Sequence, residues 1–191
     1  MAVKLPDKVH WLRLAIIFVI FVIISFGLAY LLQRLLERFD LRMHDFGWMA
    51  YLIVFASTIL ANLTIIAPVP FAISIMLAAA AQWNPVLVAL AAAAGGTIGE
   101  LSGYYAGRLG KKIAIPESII GYKRVEGWVQ RYGMWAIMFL AFQPVIPFDL
   151  GGVIAGTAKM PLRKFLPGLF LGKFPKYIIL VYAGVDLIHL I

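Results

Sequence analysis

A stripe of four residues in the middle of the chain is the first feature whose spacing could support chemistry. Gly96, Glu100, Tyr104 and Arg108 recur every fourth residue, so on a helix they would share one face. The carboxylate of Glu100 and the guanidinium of Arg108 would then lie two turns apart, roughly 12 Å. The stripe lies in an apolar stretch, where a charge is expensive unless it is paired or faces water. We expect either a structural salt bridge or a hydrogen bond to Tyr104, or a role for Glu100 in ligand or proton handling.

Three further charged residues lie inside apolar runs. Asp149 follows Pro147-Phe148 and is either a helix N-cap or a titrating group. Lys173 and Lys176 are one helical turn apart, and each either extends its ammonium to the membrane interface or binds an anion. Because Arg and Lys bind phosphate well, we expect Arg108, Lys173 and Lys176 to contact anionic phosphate headgroups.

Other kinds of chemistry are not indicated. The chain has no Cys, and its three His are scattered, so neither a metal site nor a cofactor is predicted. It also lacks a Walker loop, a dinucleotide fingerprint, a nucleophile elbow and an HExxH motif. We therefore expect a protein that is not an enzyme. The net charge of +8 favours cytoplasmic loops and anionic lipid over nucleic acid.

The composition predicts a membrane protein. Of 191 residues, 63% are hydrophobic and 14% are charged, against roughly 45–50% apolar and about 25% charged in soluble domains. Mean hydropathy is +0.92. One soluble core of this size could not bury that apolar excess.

Three segments are long and apolar enough to span a bilayer, for which about 20 residues suffice. Leu14–Leu32 is predicted to be a retained N-terminal anchor helix, followed by a basic amphipathic linker to residue 45. Pro85–Gly107 and Pro161–Ile191 are the other two spans. In the second span Gly95, Gly99, Gly103 and Gly107 recur every fourth residue, which favours close helix packing.

Two more apolar runs are broken by prolines near their middle. Phe46–Trp83 and Gly133–Ala158 are each predicted to form a re-entrant hairpin, with arms of about 11–15 residues in the first, that enters and leaves on one side. Phe46–Ala67 is, however, long enough to be a span of its own. The residues expected at the hairpin tips are Pro68, Pro70, Pro144 and Pro147.

An offset of 77 residues aligns the two broken runs and the spans that follow them. It places Pro70 on Pro147, Gly95 on Gly172, and Tyr105-Ala106-Gly107 on Tyr182-Ala183-Gly184. The predicted fold is an all-α integral membrane protein with two inverted repeats, about 56–107 and 133–184, within a membrane domain 46–191 that follows the N-terminal region 1–45. By the positive-inside rule the N-terminus and the loop Arg108–Arg131 are cytoplasmic, and the C-terminus is outside.

These segments together resemble the DedA-like family, whose shared region is also called the VTT or SNARE-associated Golgi protein domain. The resemblance implies paired re-entrant hairpins and, in studied branches, lipid scrambling or recycling of polyprenyl-phosphate carriers. It also implies functional roles for Glu100, Arg108 and Asp149. Two positions that are charged in many bacterial members hold Ala72 and Ala141 here, and the Pro-Phe-Asp form looks closer to eukaryotic relatives. The resemblance rests on Pro68–Pro70, Gly99–Gly110, Pro144–Asp149, Ala155-Gly156, Met160, Phe165 and Gly172-Lys173.

The leading hypothesis is a lipid translocase, similar to a flippase or scramblase, that moves phospholipids or polyprenyl phosphates between leaflets. Glu100 or Asp149 would either couple the step to protons or keep the groove hydrated. Its expected location is a prokaryotic inner or plasma membrane, either as a single chain or as a homo-oligomer. Two alternatives stay open. One is a proton- or cation-coupled carrier of a small solute, and the other is a membrane scaffold whose glycine stripe binds a partner helix.

Overall fold

The computed structural model describes residues 47–63, 69–109, 122–143 and 149–189, together with five single helical positions between residues 20 and 34. Within this part every regular element is an α-helix, which confirms the predicted all-α class. Most of the predicted anchor Leu14–Leu32, its linker, and Pro68, Pro144 and Pro147 lie outside the described residues. The eight helices are α1 (Gly47–Leu63), α2 (Val69–Gln82), α3 (Pro85–Gly99), α4 (Leu101–Leu109), α5 (Tyr122–Tyr132), α6 (Met134–Phe142), α7 (Asp149–Thr157) and α8 (Leu162–His189).

Helices α3 and α4 form one long rod with a joint at Glu100. Asn84 caps the rod, since its side chain accepts hydrogen bonds from the backbone N–H groups of Val86 and Leu87 at 3.0 and 3.2 Å. Hydrogen bonding continues through the joint, because Glu100 N–H donates to the Gly96 carbonyl and the Glu100 carbonyl accepts from the Tyr104 N–H, both at 3.2 Å. The charged residue therefore sits within a continuous helix.

Two stretches of the described residues are long and apolar enough to cross a membrane. They are Pro85–Leu109 and Leu162–Asp186, each of 25 residues, or about 37 Å of helix against a hydrocarbon core of about 30 Å. The second stretch continues through Pro167 and Pro175 without a break. Both coincide with spans predicted from the sequence.

The first proline-broken run forms α1 and α2, of 17 and 14 residues. The first arm is therefore longer than the predicted 11–15 residues. A Cβ added to Gly47, where α1 begins, would lie 3.4 Å from Trp83, which follows the end of α2. The start of α1 therefore lies beside the end of α2.

Helices α1 and α2 both pack against the long rods through glycines. A Cβ at Gly95 would collide with the Phe55 carbonyl in α1, and one at Gly99 would lie 2.6 Å from the Ile59 carbonyl. In α8, a Cβ at Gly184 would collide with Leu77 of α2. Close backbone approach at these positions requires the absence of a side chain.

The second proline-broken run forms α6 and α7. Gly172 of α8 lies against the Met138 carbonyl of α6, and Gly107 of α4 lies against the Val153 carbonyl of α7. Gly156 of α7 in turn contacts the Tyr104 carbonyl of α4. Helix α6 therefore packs on α8, and α7 packs on α4.

The interior is divided into two apolar clusters, and α8 contributes to both. Phe165 and Leu169, in its first half, pack with residues of α4 to α7. Val181, in its second half, packs with residues of α1, α2 and α3. Lys173 lies on α8 between these two clusters.

Candidate functional site

A buried ion pair joins the two spanning rods where the clusters meet. The Nζ of Lys173 lies 3.1 Å from Oε1 of Glu100, and the side chains are only 2% and 4% exposed. Charges this far from solvent are costly unless each has a partner and further hydrogen bonds. The structure thus brings together two residues that the sequence analysis named separately.

Two neutral oxygens also contact the Lys173 ammonium. Nζ donates to Oδ1 of Asn62 at 2.7 Å and to the Gly96 carbonyl at 2.9 Å. Asn62 is the penultimate residue of α1, so the C-terminal end of this helix reaches the pair. The ammonium is consequently held by α1, by α3 and by the joint between α3 and α4.

The lysine fits because Gly96 has no side chain. A Cβ at Gly96 would lie 3.1 Å from Nζ of Lys173 and 3.3 Å from the hydroxyl of Tyr177. Gly96 also shares its carbonyl between the Glu100 N–H and the Lys173 ammonium. The glycine therefore provides both the space and one of the acceptors.

A second polar cluster, formed by Tyr104 and Arg108, lies one to two turns further along the same face. Tyr104 is fully buried, donates its hydroxyl hydrogen to the Met160 carbonyl and stacks on Phe165, with ring centroids 4.9 Å apart. Nη1 of the exposed Arg108 donates to the Tyr104 hydroxyl at 2.7 Å. Arg108 is therefore anchored by Tyr104 rather than by Glu100, and its guanidinium lies toward the end of the rod.

Of the remaining predicted site residues, Lys176 lies within electrostatic range of both Lys173 and Glu100. Lys176 is half-buried, and its Nζ lies 5.7 Å from the centroid of the Tyr177 ring. Asp149 is the first residue of α7, but its side chain lies outside the described part. Pro70 lies in the first turn of α2. Gly103 is half-buried in α4.

No metal centre is present among the described residues, where no group of three His, Cys, Asp or Glu side chains is placed to hold an ion. The contacts described for the site join one carboxylate, one ammonium and neutral oxygens. Such a set can bind an anion through Lys173 or exchange a proton at Glu100. None of these side chains forms a nucleophile and base pair of the kind that covalent catalysis requires.

The VTT domain family model matches residues 68–186. The chain belongs to this family. The predicted DedA-like resemblance is thereby confirmed. The match spans α2 to α8 and includes Glu100, Arg108 and Lys173, whereas Asn62 lies just before it.

One curated VTT-domain relative is the undecaprenyl phosphate transporter A of Bacillus subtilis (strain 168). It is 32% identical over 107 residues, which cover 51% of this chain and 52% of the relative. The chain therefore aligns with about half the length of that protein. No solved structure matches the chain. The family and the two span-length helices identify a membrane protein, and the bacterial relative agrees with the predicted prokaryotic plasma membrane.

Sequence reasoning missed three groups of this VTT-domain protein that anchor its charged residues. Asn62 and the Gly96 carbonyl contact Lys173, and the Met160 carbonyl acts on Arg108 through Tyr104. Asn62 is the only Asn in the apolar run 46–83, and an amide in such a run is itself a signal of a buried partner. The carbonyls of Gly96 and Met160 left no signal, since every residue has one. Which carbonyl is used depends on how the helices cross.

Proposed function

We propose that this VTT-domain protein moves a lipid with an anionic phosphate headgroup across the membrane, without ATP and without covalent chemistry. The observation that carries the proposal is the buried pair of Glu100 and Lys173, held at the tip end of α1 and at the crossing of the two spanning rods. A buried ammonium that is paired with a carboxylate can instead donate hydrogen bonds to a phosphate oxygen that takes the place of the carboxylate.

The proposed architecture is an inverted repeat whose pseudo-two-fold axis passes beside the ion pair. Gly96 and Lys173 are equivalent at the 77-residue offset, and they touch each other. Glu100 and Tyr177 are equivalent at the same offset, and the contact of Glu100 with Lys173 has its counterpart in the proximity of Tyr177 to Gly96. Residues related by a two-fold axis can touch only near that axis.

The contacts of the hairpins support the same symmetry. The first arm of each hairpin packs on a glycine of the spanning helix of its own repeat, Gly95 on Phe55 and Gly172 on Met138. The second arm of each hairpin packs on the spanning helix of the other repeat, through the equivalent glycines Gly107 and Gly184. Such an exchange is expected of two interlocked copies of one unit.

The depth of the first hairpin supports a re-entrant geometry. Its opening lies at Trp83, next to the start of α3, and Asn62 at its other end lies level with Gly96 and Glu100. That level is about 17–22 Å along a rod of about 37 Å. A hairpin that ends there leaves a polar site within the bilayer whose remaining barrier is thinner than the full membrane.

Charge neutrality sets the proposed order of events. The resting pair is neutral, so a phosphate that takes the carboxylate's place at Lys173 leaves Glu100 with an uncompensated charge unless it takes up a proton. We therefore place proton uptake at Glu100 during headgroup binding. Arg108 at the end of the rod makes the first contact with the headgroup, and Lys176 adds positive charge one turn from Lys173.

The name of the Bacillus subtilis relative, which refers to undecaprenyl phosphate, favours a polyprenyl phosphate as the lipid. The test is leaflet exchange of a labelled polyprenyl phosphate in liposomes that contain the purified protein, beside a labelled phosphatidylcholine. We expect polyprenyl phosphate exchange faster than in protein-free liposomes and sensitive to a proton gradient. Exchange no faster than in protein-free liposomes, under a gradient of either direction, would overturn the proposal.

A further inference from the structure

The three contacts of the Lys173 ammonium differ in charge and in how they are held. A lysine ammonium has three N–H donors, and three acceptors surround Nζ within 3.1 Å. One is the Glu100 carboxylate, one is the Gly96 carbonyl, and one is the side-chain oxygen of Asn62. Of these three acceptors, the carboxylate is charged and the other two are neutral.

Asn62 is oriented by its own hydrogen bond and by its packing. Its Nδ2 donates to the Thr58 carbonyl at 2.7 Å, which turns Oδ1 toward Lys173. On its other side lies Gly99, where an added Cβ would come within 2.7 Å of the Asn62 Cβ. The amide oxygen is therefore presented to the ammonium by a side chain fixed on both sides.

Charge decides which acceptor a phosphate can replace. If phosphate replaced Asn62, two anions would face one buried cation, and like charges in this setting are strongly unfavourable. The Gly96 carbonyl belongs to the backbone of α3 and also accepts the Glu100 N–H, so it stays in place. Replacement of the Glu100 carboxylate keeps one anion for one cation.

We infer that Asn62 is a positioning residue, the neutral acceptor that holds the Lys173 ammonium at the site while Glu100 and a lipid phosphate exchange. The inference rests on the proposed function and extends it to the first hairpin. Because Asn62 lies on α1, the hairpin stays attached to the ammonium during the exchange. Neutrality of residue 62 is the essential property, since a carboxylate there would compete with the phosphate.

Two substitutions of nearly the same shape separate these properties. Asn62→Asp keeps an acceptor and adds a charge, whereas Asn62→Leu removes both the acceptor and any charge. Initial exchange rates are measured in liposomes over a range of polyprenyl phosphate contents. Asn62→Asp is expected to raise the apparent KM roughly tenfold or more with a maximal rate near that of the unsubstituted protein, because the added carboxylate competes with the phosphate.

Asn62→Leu is expected to act on the other kinetic parameter. Without the neutral acceptor the ammonium is poorly placed, so the maximal rate should fall roughly tenfold while the apparent KM changes little. A purely structural role for Asn62 would lower the amount of folded protein without this division between KM and maximal rate. If Asn62→Asp does not fold, the Asn62→Leu measurement still tests the inference.

A double variant shows whether position matters beyond charge count. Asn62→Asp with Glu100→Gln keeps one carboxylate beside Lys173 but moves it from the rod to the hairpin. We expect its transport to remain impaired. Wild-type kinetics in this double variant, or in Asn62→Asp alone, would overturn the inference. Failure of the unsubstituted protein to exchange the lipid would instead overturn the proposed function.

Discussion

Replacing Lys173 with methionine removes the ammonium that lies 3.1 Å from the carboxylate of Glu100. Both side chains are almost fully buried, so solvent cannot take over the role of the missing partner. Breaking a buried pair by removing one partner costs about 3–5 kcal/mol. For a chain of this size, that free energy corresponds to a decrease in Tm of roughly 6–20 °C.

The double variant Glu100→Gln with Lys173→Met should recover most of this loss. It removes both charges of the pair, and the glutamine amide can donate to oxygens that Lys173 contacts. Replacing both members of a buried pair with neutral groups of similar size is often neutral or stabilising. Three proteins, wild type, Lys173→Met and the double variant, are compared by thermal unfolding in the same detergent.

The expected order of Tm is wild type close to the double variant, and both well above Lys173→Met. If Lys173→Met melted within a degree or two of wild type, the pair would not be buried and isolated as the structure has it. If the double variant were as unstable as the single variant, the ammonium itself, and not its charge balance with Glu100, would be the stabilising element. Either result would overturn charge balance within the buried pair as the explanation of the stability loss.

Three further predictions concern the helices that position the pair. Gly156→Ala would force a Cβ into the Tyr104 carbonyl and should reduce the yield of folded protein, whereas Gly127→Ala, in open space on α5, should raise stability by about 0.5–1 kcal/mol. Tyr104→Phe keeps the stacked ring but removes the hydroxyl that joins Arg108 to the Met160 carbonyl, at a cost of about 1–3 kcal/mol in unfolding free energy. Asn84→Ala removes the N-cap of α3 and should cost about 1 kcal/mol, while Asn84→Asp should not. Unfolding curves in detergent measure the stability of each variant. A variant as stable as its control, or a Tyr104→Phe variant as stable as wild type, would contradict the corresponding contact.

The sequence allowed the elements to be predicted because the apolar runs and their prolines are local signals. The spans Pro85–Gly107 and Pro161–Ile191 correspond to the long rods Pro85–Leu109 and Leu162–Asp186. The first proline-broken run contains two helices, but the first is longer than the predicted arm, since Gly47–Leu63 begins close to the start of the run and has no internal proline.

The site was only partly predictable, because its key contact is between residues 73 positions apart. The cost of a buried charge marked Glu100 and Lys173 individually, and a salt bridge was one of the two interpretations of Glu100. Nothing local indicated that Lys173 would be its partner rather than Tyr104 or Arg108. That pairing follows from the crossing of the two rods at Gly96, which is a property of the tertiary structure.

The 77-residue offset relates two residues of different type that touch each other in the structure. The 77-residue shift relates Gly96 to Lys173, and the structure has these two residues in contact. A sequence comparison sees a mismatch of glycine and lysine at this position. In three dimensions the mismatch has a physical reason, since two lysines could not both occupy the crossing point and the glycine leaves space for the one that does.

Transport by the double variant that lacks both charges of the pair tests whether the pair moves a lipid phosphate. Glu100→Gln with Lys173→Met is placed in liposomes, and exchange of labelled polyprenyl phosphate is compared with wild type and with Gly127→Ala as a matched control. We expect a folded double variant whose exchange falls to the level of protein-free liposomes, while Gly127→Ala exchanges at the wild-type rate. Exchange by the folded double variant at the wild-type rate would contradict a role for the pair in transport.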